Sequence, residues 1–236
     1  MTVDDQCGNR SDERVLDNPA YAALTGPQAH LAERRGDVLR YPPDMSPFLT
    51  VPEHPSAQVW EDVAALVGAG GVVPLAAISI QPPDDWEIVM DIPGVQLVDD
   101  GVHAAPDPEA VTLTADDVPD MMDLVARTQP GPFRRRTIEL GTYLGHRRDG
   151  KLVAMAGERM HPPGWTEISA VCTDPAYRGH GLATRLVLAL AHGIRERGEI
   201  PFMHAAADNT HAIGLYLSLG FRLRREVTFA AVRVPG

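Results

Sequence analysis

The stretch ISAVCTDPAYRGHGLAT, residues 168–184, decides the fold. Its first half is rich in β-branched and small apolar residues and reads as a strand ending at Asp174-Pro175. Its second half sets Gly179 and Gly181 in a turn immediately before an apolar-periodic helix, in which Leu182, Leu186, Leu190 and Ile194 recur every four residues. Glycines let a backbone approach a ligand with no Cβ in the way, and the unpaired N–H groups at the positive end of a helix dipole face whatever anion sits there. The stretch is an anion cradle whose helix is pinned to a sheet by its leucines. A P-loop would need Gly-Lys-Ser/Thr at this point, but Gly181 is followed by Leu182 and the one lysine, Lys151, is distant. A dinucleotide fingerprint would need a third glycine and a parallel βαβ unit, and neither is present.

Before the cradle, residues Tyr143–Arg147, Leu152–Arg159 and Thr166–Thr173 read as three consecutive strands joined by Arg148-Asp149-Gly150 and Pro162-Pro163-Gly164, with antiparallel pairing. Ahead of them come a short strand at Val111-Thr112-Leu113 and a helix opened by a capping box, Thr114 with Asp117. After the cradle helix (Gly181–Arg197) follow a strand (Phe202–Ala206), a short helix (Thr210–Leu219) and a terminal strand pair (Phe221–Val234). The order β-α-β-β-β-α-β-α-β predicts an α/β (α+β) domain with a mixed, mostly antiparallel central sheet flanked by helices.

The first half is harder to read. Residues 1–14 are polar and aperiodic and are expected to be a flexible terminus. A helical pattern begins at Asn18-Pro19, a second amphipathic helix spans Val59–Val67 and closes at Gly68, and Val72–Ile80 reads as a buried strand. Trp86–Met90 and Val95–Val98 read as two short strands separated by the turn signal Pro93-Gly94. The proline-rich junction at residues 100–109 marks a boundary, giving an additional smaller N-terminal α+β domain over 15–105 and a second domain over 106–236.

The net charge of −11 is uneven: residues 1–109 carry 5 basic and 19 acidic side chains (−14), residues 110–236 carry 16 and 13 (+3). An acidic first half disfavours nucleic acid and anionic membranes, whereas the mildly basic second half suits a small polyanion. No apolar run is long enough to span a membrane, and the polar, acidic start lacks a secretory pattern, so a soluble cytoplasmic protein is expected. Cys7 and Cys172 are far apart and in no Cys/His cluster, which argues against a disulfide scaffold and a zinc site. His204, His211 and Asp208 match no ligand spacing, and no metal is assigned.

Arg178, Gly181 and Ala183 satisfy Arg/Gln-x-x-Gly-x-Gly/Ala, and downstream lies Asn209-x-x-Ala212-x-x-Leu215-Tyr216-x-x-Leu219-Gly220-Phe221. With these two signatures in order, residues 110–234 resemble the GNAT superfamily of N-acyltransferases, and the extra N-terminal half is similar to its FR47-type, glycine N-acyltransferase-like branch; the first domain would then be a degenerate sister of the second. The resemblance implies an acyl-CoA donor, acetyl-CoA or another, and no metal. Its pyrophosphate would lie on Arg178, Gly179, His180, Gly181, Leu182, Ala183 and Thr184, its pantetheine arm along Val171-Cys172-Thr173, with Asn209 orienting it and Tyr216 contacting and protonating the departing thiolate. An open strand edge can hydrogen-bond pantetheine as if it were another strand.

Each assignment has a plainer reading beside it. Arg178 could be a solvated loop residue, Asn209 a helix N-cap and Tyr216 a core tyrosine. Glu167, on the strand before the pantetheine segment, is the candidate base for the attacking amine, with burial expected to raise its pKa; Glu158 or a water chain is the alternative. Arg134-Arg135-Arg136 could meet an anionic acceptor or be a solvated turn. Cys172 is read as a small buried residue, not a nucleophile. The expected reaction is direct attack of a primary amine on the thioester. The acceptor is expected to be a small-molecule amine or amino acid, a protein being the alternative, and a homodimer is compatible with the sequence. A catalytically inactive acyl-CoA sensor is the competing function.

Overall fold

The computed structural model describes residues 12–76 and 81–236. Cys7, most of the terminus expected to be flexible, and the end of the strand expected over Val72–Ile80 lie outside those residues. Residues 12–14 are tied down: the Asp12 side chain accepts from the Arg14 N–H, and Glu13 pairs with Arg222 and Arg224.

Among the described residues the strands are β1 (Glu33–Arg35), β2 (Val38–Arg40), β3 (Leu49–Thr50), β4 (Val72–Leu75), β5 (Glu87–Asp99), β6 (Val111–Thr112), β7 (Tyr143–Arg148), β8 (Lys151–Glu158), β9 (Trp165–Thr173), β10 (Ile200–Ala206) and β11 (Phe221–Arg233). The α-helices are α1 (Pro19–Thr25), α2 (Ala57–Val67), α3 (Val118–Thr128), α4 (Leu182–Glu196) and α5 (Thr210–Ser218). All strands join one sheet in the order β1-β2-β3-β4-β11-β5-β10-β9-β8-β7-β6. Only β3/β4 and β9/β10 are parallel, so the mixed, mostly antiparallel sheet flanked by helices is as expected.

The second half keeps its expected element order, and Thr114 donates its N–H to Asp117 at 2.8 Å, closing the capping box. Strand β8 is buried on both faces. Ala154 and Ala156 pack with Leu186, Leu190 and Ile194 of α4, while the alternating Met155 packs with Met121 and Leu124 of α3. The two helices therefore cover opposite faces of the sheet.

Two expectations are corrected. The two short strands around Pro93-Gly94 are one continuous strand, β5. Pro93 is tolerated because its carbonyl accepts from Ala207 N–H, so its hydrogen-free nitrogen faces the side on which β10 has ended. Gly94 is required by close approach, since a Cβ there would lie 2.4 Å from the Phe229 ring. The expected terminal strand pair is also one strand, β11, kept continuous by its pairing with β5 from Phe221↔Asp99 to Arg233↔Glu87 despite register shifts at Leu223/Arg225 and Ala231/Val232. In the same sheet β5, from before the proline-rich stretch at 100–109, lies between β10 and β11, from after it.

The charge asymmetry has a structural use. Acidic side chains of the first half pair with arginines of the second: Glu13 with Arg222, Asp17 with Arg224 and Arg225, Asp44 with Arg136, and Asp99 with Arg195. Each is at least partly open to solvent and contributes little to stability alone, but together they link the two sequence halves.

Candidate functional site

The cradle forms as its sequence requires. Gly181 caps α4 with φ +72°, Gly179 has φ +79°, and neither would find an atom within 4 Å of an added Cβ, so the turn borders open space. The Arg185 N–H bonds Gly181 O, leaving the amides of Leu182, Ala183 and Thr184 as the free first turn of the helix. Arg178 Nε reaches Thr173 O at 3.4 Å and His180 Nδ1 lies 3.0 Å from Arg178 O, so both side chains brace the turn. Asp174, at the end of β9, accepts from Ala176 N–H and is clasped by Arg127 and by Lys151 at 2.9 Å, fixing where strand becomes turn.

Above the turn the sheet opens. β9 and β10 pair only from Trp165↔Ile200 to Glu167↔Phe202; thereafter β10 follows β5, and the β9 edge from Ile168 to Thr173 has no ladder partner on that side. The register of β8 against β9 shifts between Met155↔Cys172 and Gly157↔Ser169, with Ala170 at φ +53° inside the bulge. Val171, Cys172 and Thr173 thus lie on a strand edge whose backbone groups are open on that side, the geometry to which an extended amide chain can add. Free helix amides at one end and an open strand edge leading from them fit a phosphate-headed ligand with a peptide-like arm.

Tyr216, on α5, is buried against Phe221, yet its hydroxyl makes no hydrogen bond among the described residues and is not sealed from solvent. Burial, then the neighbouring Cys172, pushes the phenol up to about 12, so it holds its proton at neutral pH. Burial likewise pushes the Cys172 thiol up to about 11, which removes it as a nucleophile. Asn209 caps α5, accepting from Ala212 N–H at 3.2 Å.

Glu167 is not the free, raised-pKa base expected from its sequence position. It is fully buried, accepts from Arg159 Nε at 2.7 Å and Nη2 at 2.6 Å, and lies 2.8 Å from His204 Nδ1. Burial pushes its carboxyl up, but the Arg159 guanidinium and the hydrogen bonds from Arg159 and His204 outweigh burial and hold it at about 2. Glu158 is no substitute: it is buried and bound to Arg197 at 2.8 Å and Thr142 N–H at 3.1 Å, away from the Glu167 face. Arg136 of the triple-arginine turn is clasped by Glu139 and Asp44, while Arg134 and Arg135 are exposed. His211 and Asp208 are exposed and do not join His204, and no group of three or more His, Cys, Asp or Glu among the described residues is placed to hold a metal ion.

Arg159 and His204 were not singled out as site residues. They line a small cavity on the Glu167 face of the sheet with Phe48, Leu75, Met90 and Phe229, side chains drawn from both sequence halves. Arg159 lies over the Phe48 ring at 5.2 Å.

Residues 143–230 match a family model described as FR47-like protein. A solved structure from Novosphingobium aromaticivorans, described as an acetyltransferase of the GNAT family, is 38% identical, superposes with a TM-score of 0.85, and covers 94% of this chain and 99% of that one. N-alpha-acetyltransferase RimI of Mycobacterium tuberculosis is 38% identical over 90 residues, 36% of this chain and 56% of that protein. Mycothiol acetyltransferase of Nocardia farcinica is 45% identical over 67 residues, 28% of this chain and 22% of that protein. The matches thus span about half or less of these curated relatives. With the cradle, the opened sheet and the full-length structural match in agreement, the chain belongs to the GNAT family.

Proposed function

We propose that the protein transfers an acyl group, acetyl in the first instance, from acyl-CoA to a primary amine by direct attack. The observation that carries the reading is the parting of β9 from β10 beyond Glu167 and Phe202, which leaves an open strand edge running from the free amides of α4 toward the middle of the sheet. The amides of residues 182–184 and the turn at Arg178–Gly181 hold the pyrophosphate, Val171–Thr173 hold the pantetheine arm, and Asn209 fixes the start of α5 beside it. Held in this way, thioester and amine meet in attack geometry, the largest contribution available to such a transfer. Amides of the open β9 edge stabilise the developing oxyanion, and Tyr216 gives its proton to the departing sulfur.

The acceptor is a small-molecule amine or amino acid. Relatives bear names that imply either a protein or a small-molecule acceptor. A small cavity walled by Phe48, Leu75, Met90 and Phe229 favours a compact acceptor over a folded protein. The test is release of free thiol from acetyl-CoA across a panel of amines and amino acids, extended to longer acyl chains; silence with every pair rejects the reading. In the same assay Tyr216→Phe is expected to lower kcat by about 10²-fold or more, the usual range for a lost general acid. Its melting temperature should hold, because the hydroxyl has no partner to lose.

A further inference from the structure

We propose that the cavity on the Glu167 face takes the side group of the amine acceptor, and that Phe229, Met90 and Leu75 select an acceptor whose side group is a small aliphatic one of about two or three carbons. The inference rests on the acyl-transfer reading above and names the class of acceptor that the same site takes.

The two faces of the sheet divide the reactants. Ile168 of β9 and Met203 of β10 pack with Leu186 and Leu190 of α4, whose free amides form the cradle, so that face belongs to the donor. Their sequence neighbours Glu167 and His204 point to the opposite face, where they meet at 2.8 Å. The acceptor approaches from that side, because the donor occupies the other. The cavity straddles the strand opening there. Arg159 follows β8 on one side of β9, while His204, Met90 and Phe229 stand on β10, β5 and β11 on the other. His204 is two residues past Phe202, where β9 and β10 part, so the cavity lies at the apex of the opening.

The walls decide which side group fits. Phe48, Leu75, Met90 and Phe229 offer apolar surface, and the polar groups at the edge are taken up by one another. Arg159 Nε and Nη2 donate to the two oxygens of Glu167 at 2.7 and 2.6 Å. His204 Nδ1 lies against Glu167 Oε1, and its Nε2 lies 3.0 Å from Gln96 Nε2. With both Glu167 oxygens engaged, a cationic side group finds no countercharge there, and desolvating a charge against these walls is costly.

The space amounts to about 50 Å³. An apolar cavity of about 150 Å³ takes a benzene ring, so this one holds about two or three carbons and excludes an aromatic ring. Phe229 sets that limit. Gly94 lets its ring fold onto β5, and the ring stands edge-on to His204 at 6.2 Å.

The test uses the full chain in the thiol-release assay with acetyl-CoA held fixed. Straight-chain amines and α-amino acids form two acceptor series, each running from a methyl to an aromatic side group, with charged members of matching length. For the acceptor, kcat/KM is expected to rise about tenfold per added methylene up to about three carbons and to fall beyond, and charged members should be slower by about 10²-fold or more. Phe229→Ala is expected to move the optimum to larger groups, aromatic ones included, with KM for acetyl-CoA unchanged. A rate indifferent to side-group size, or a charged member as the best acceptor, overturns the proposal. So does a Phe229→Ala protein whose preference shifts in the acyl chain of the donor and not in the acceptor, which would assign the cavity to the donor. Absence of thiol release by the parent with every pair rejects the acyl-transfer reading itself, whereas turnover without the size preference rejects only this inference. Should Phe229→Ala fail to fold, Met90→Ala takes its place, and if both fail the size profile of the parent decides.

Discussion

Replacing Glu167 with glutamine is expected to destabilise the protein by about 3–5 kcal/mol, the usual cost of removing one partner from a buried ion pair. The Arg159 side chain beside it is only 13% exposed, and glutamine leaves that guanidinium without a countercharge. The dependence on pH has a definite sign. The folded-state carboxyl titrates at about 2 against an ordinary value of 4.5, so the stability it contributes is fully present above 4.5 and is lost as pH falls toward 2. Thermal melts of the parent and Glu167→Gln should therefore differ most at neutral pH and converge in acid. Equal melting temperatures at neutral pH would show that the pair is not formed in a dry interior. Replacing both partners, Arg159→Met with Glu167→Leu, is expected to recover part of the loss, because two apolar groups leave no unpaired charge.

A fragment restricted to residues 105–236 is expected to have no cooperative thermal transition. It keeps both GNAT signatures but lacks β5, which is hydrogen-bonded to β10 on one side and to β11 on the other. Without it, two strand edges stay unpaired in the middle of the sheet, and the buried contacts of Leu97 and Val98 are lost. Circular dichroism melts and sedimentation of the fragment check this. A monomeric fragment that melts cooperatively and releases thiol from acetyl-CoA would show that the first half is dispensable.

Most of the second half was legible because its signals are local. The four-residue recurrence of Leu182, Leu186, Leu190 and Ile194, the glycines before them and the Thr114/Asp117 box each act within a turn or two of chain. The errors share a cause of the opposite kind. Pro93-Gly94 carries a strong local turn signal, but pairing along the whole length of β11 overrides it, and no local pattern announces a partner strand so remote. The same holds for Glu167. Its sequence neighbours suggested an apolar pocket and a raised pKa, whereas its environment is set by Arg159 across a strand pair and by His204 on another strand. The discarded metal grouping of His204 with His211 and Asp208 judged it against its near neighbours, and its real partners, Glu167 and Gln96, come from two other strands.

The position of β5 also governs how the chain can reach its folded state during translation. Arg224 meets Gln96 across 128 positions, and Arg233 meets Glu87 across 146. The strand therefore leaves the ribosome long before either neighbour exists, with both edges bare until β10 at Ile200–Ala206 is made. Such late, distant pairing slows folding and exposes nascent chains to aggregation. The sheet closes only when β11 emerges, so the opening between β9 and β10, whose β10 wall rests on β5, is completed only after β11 has been made.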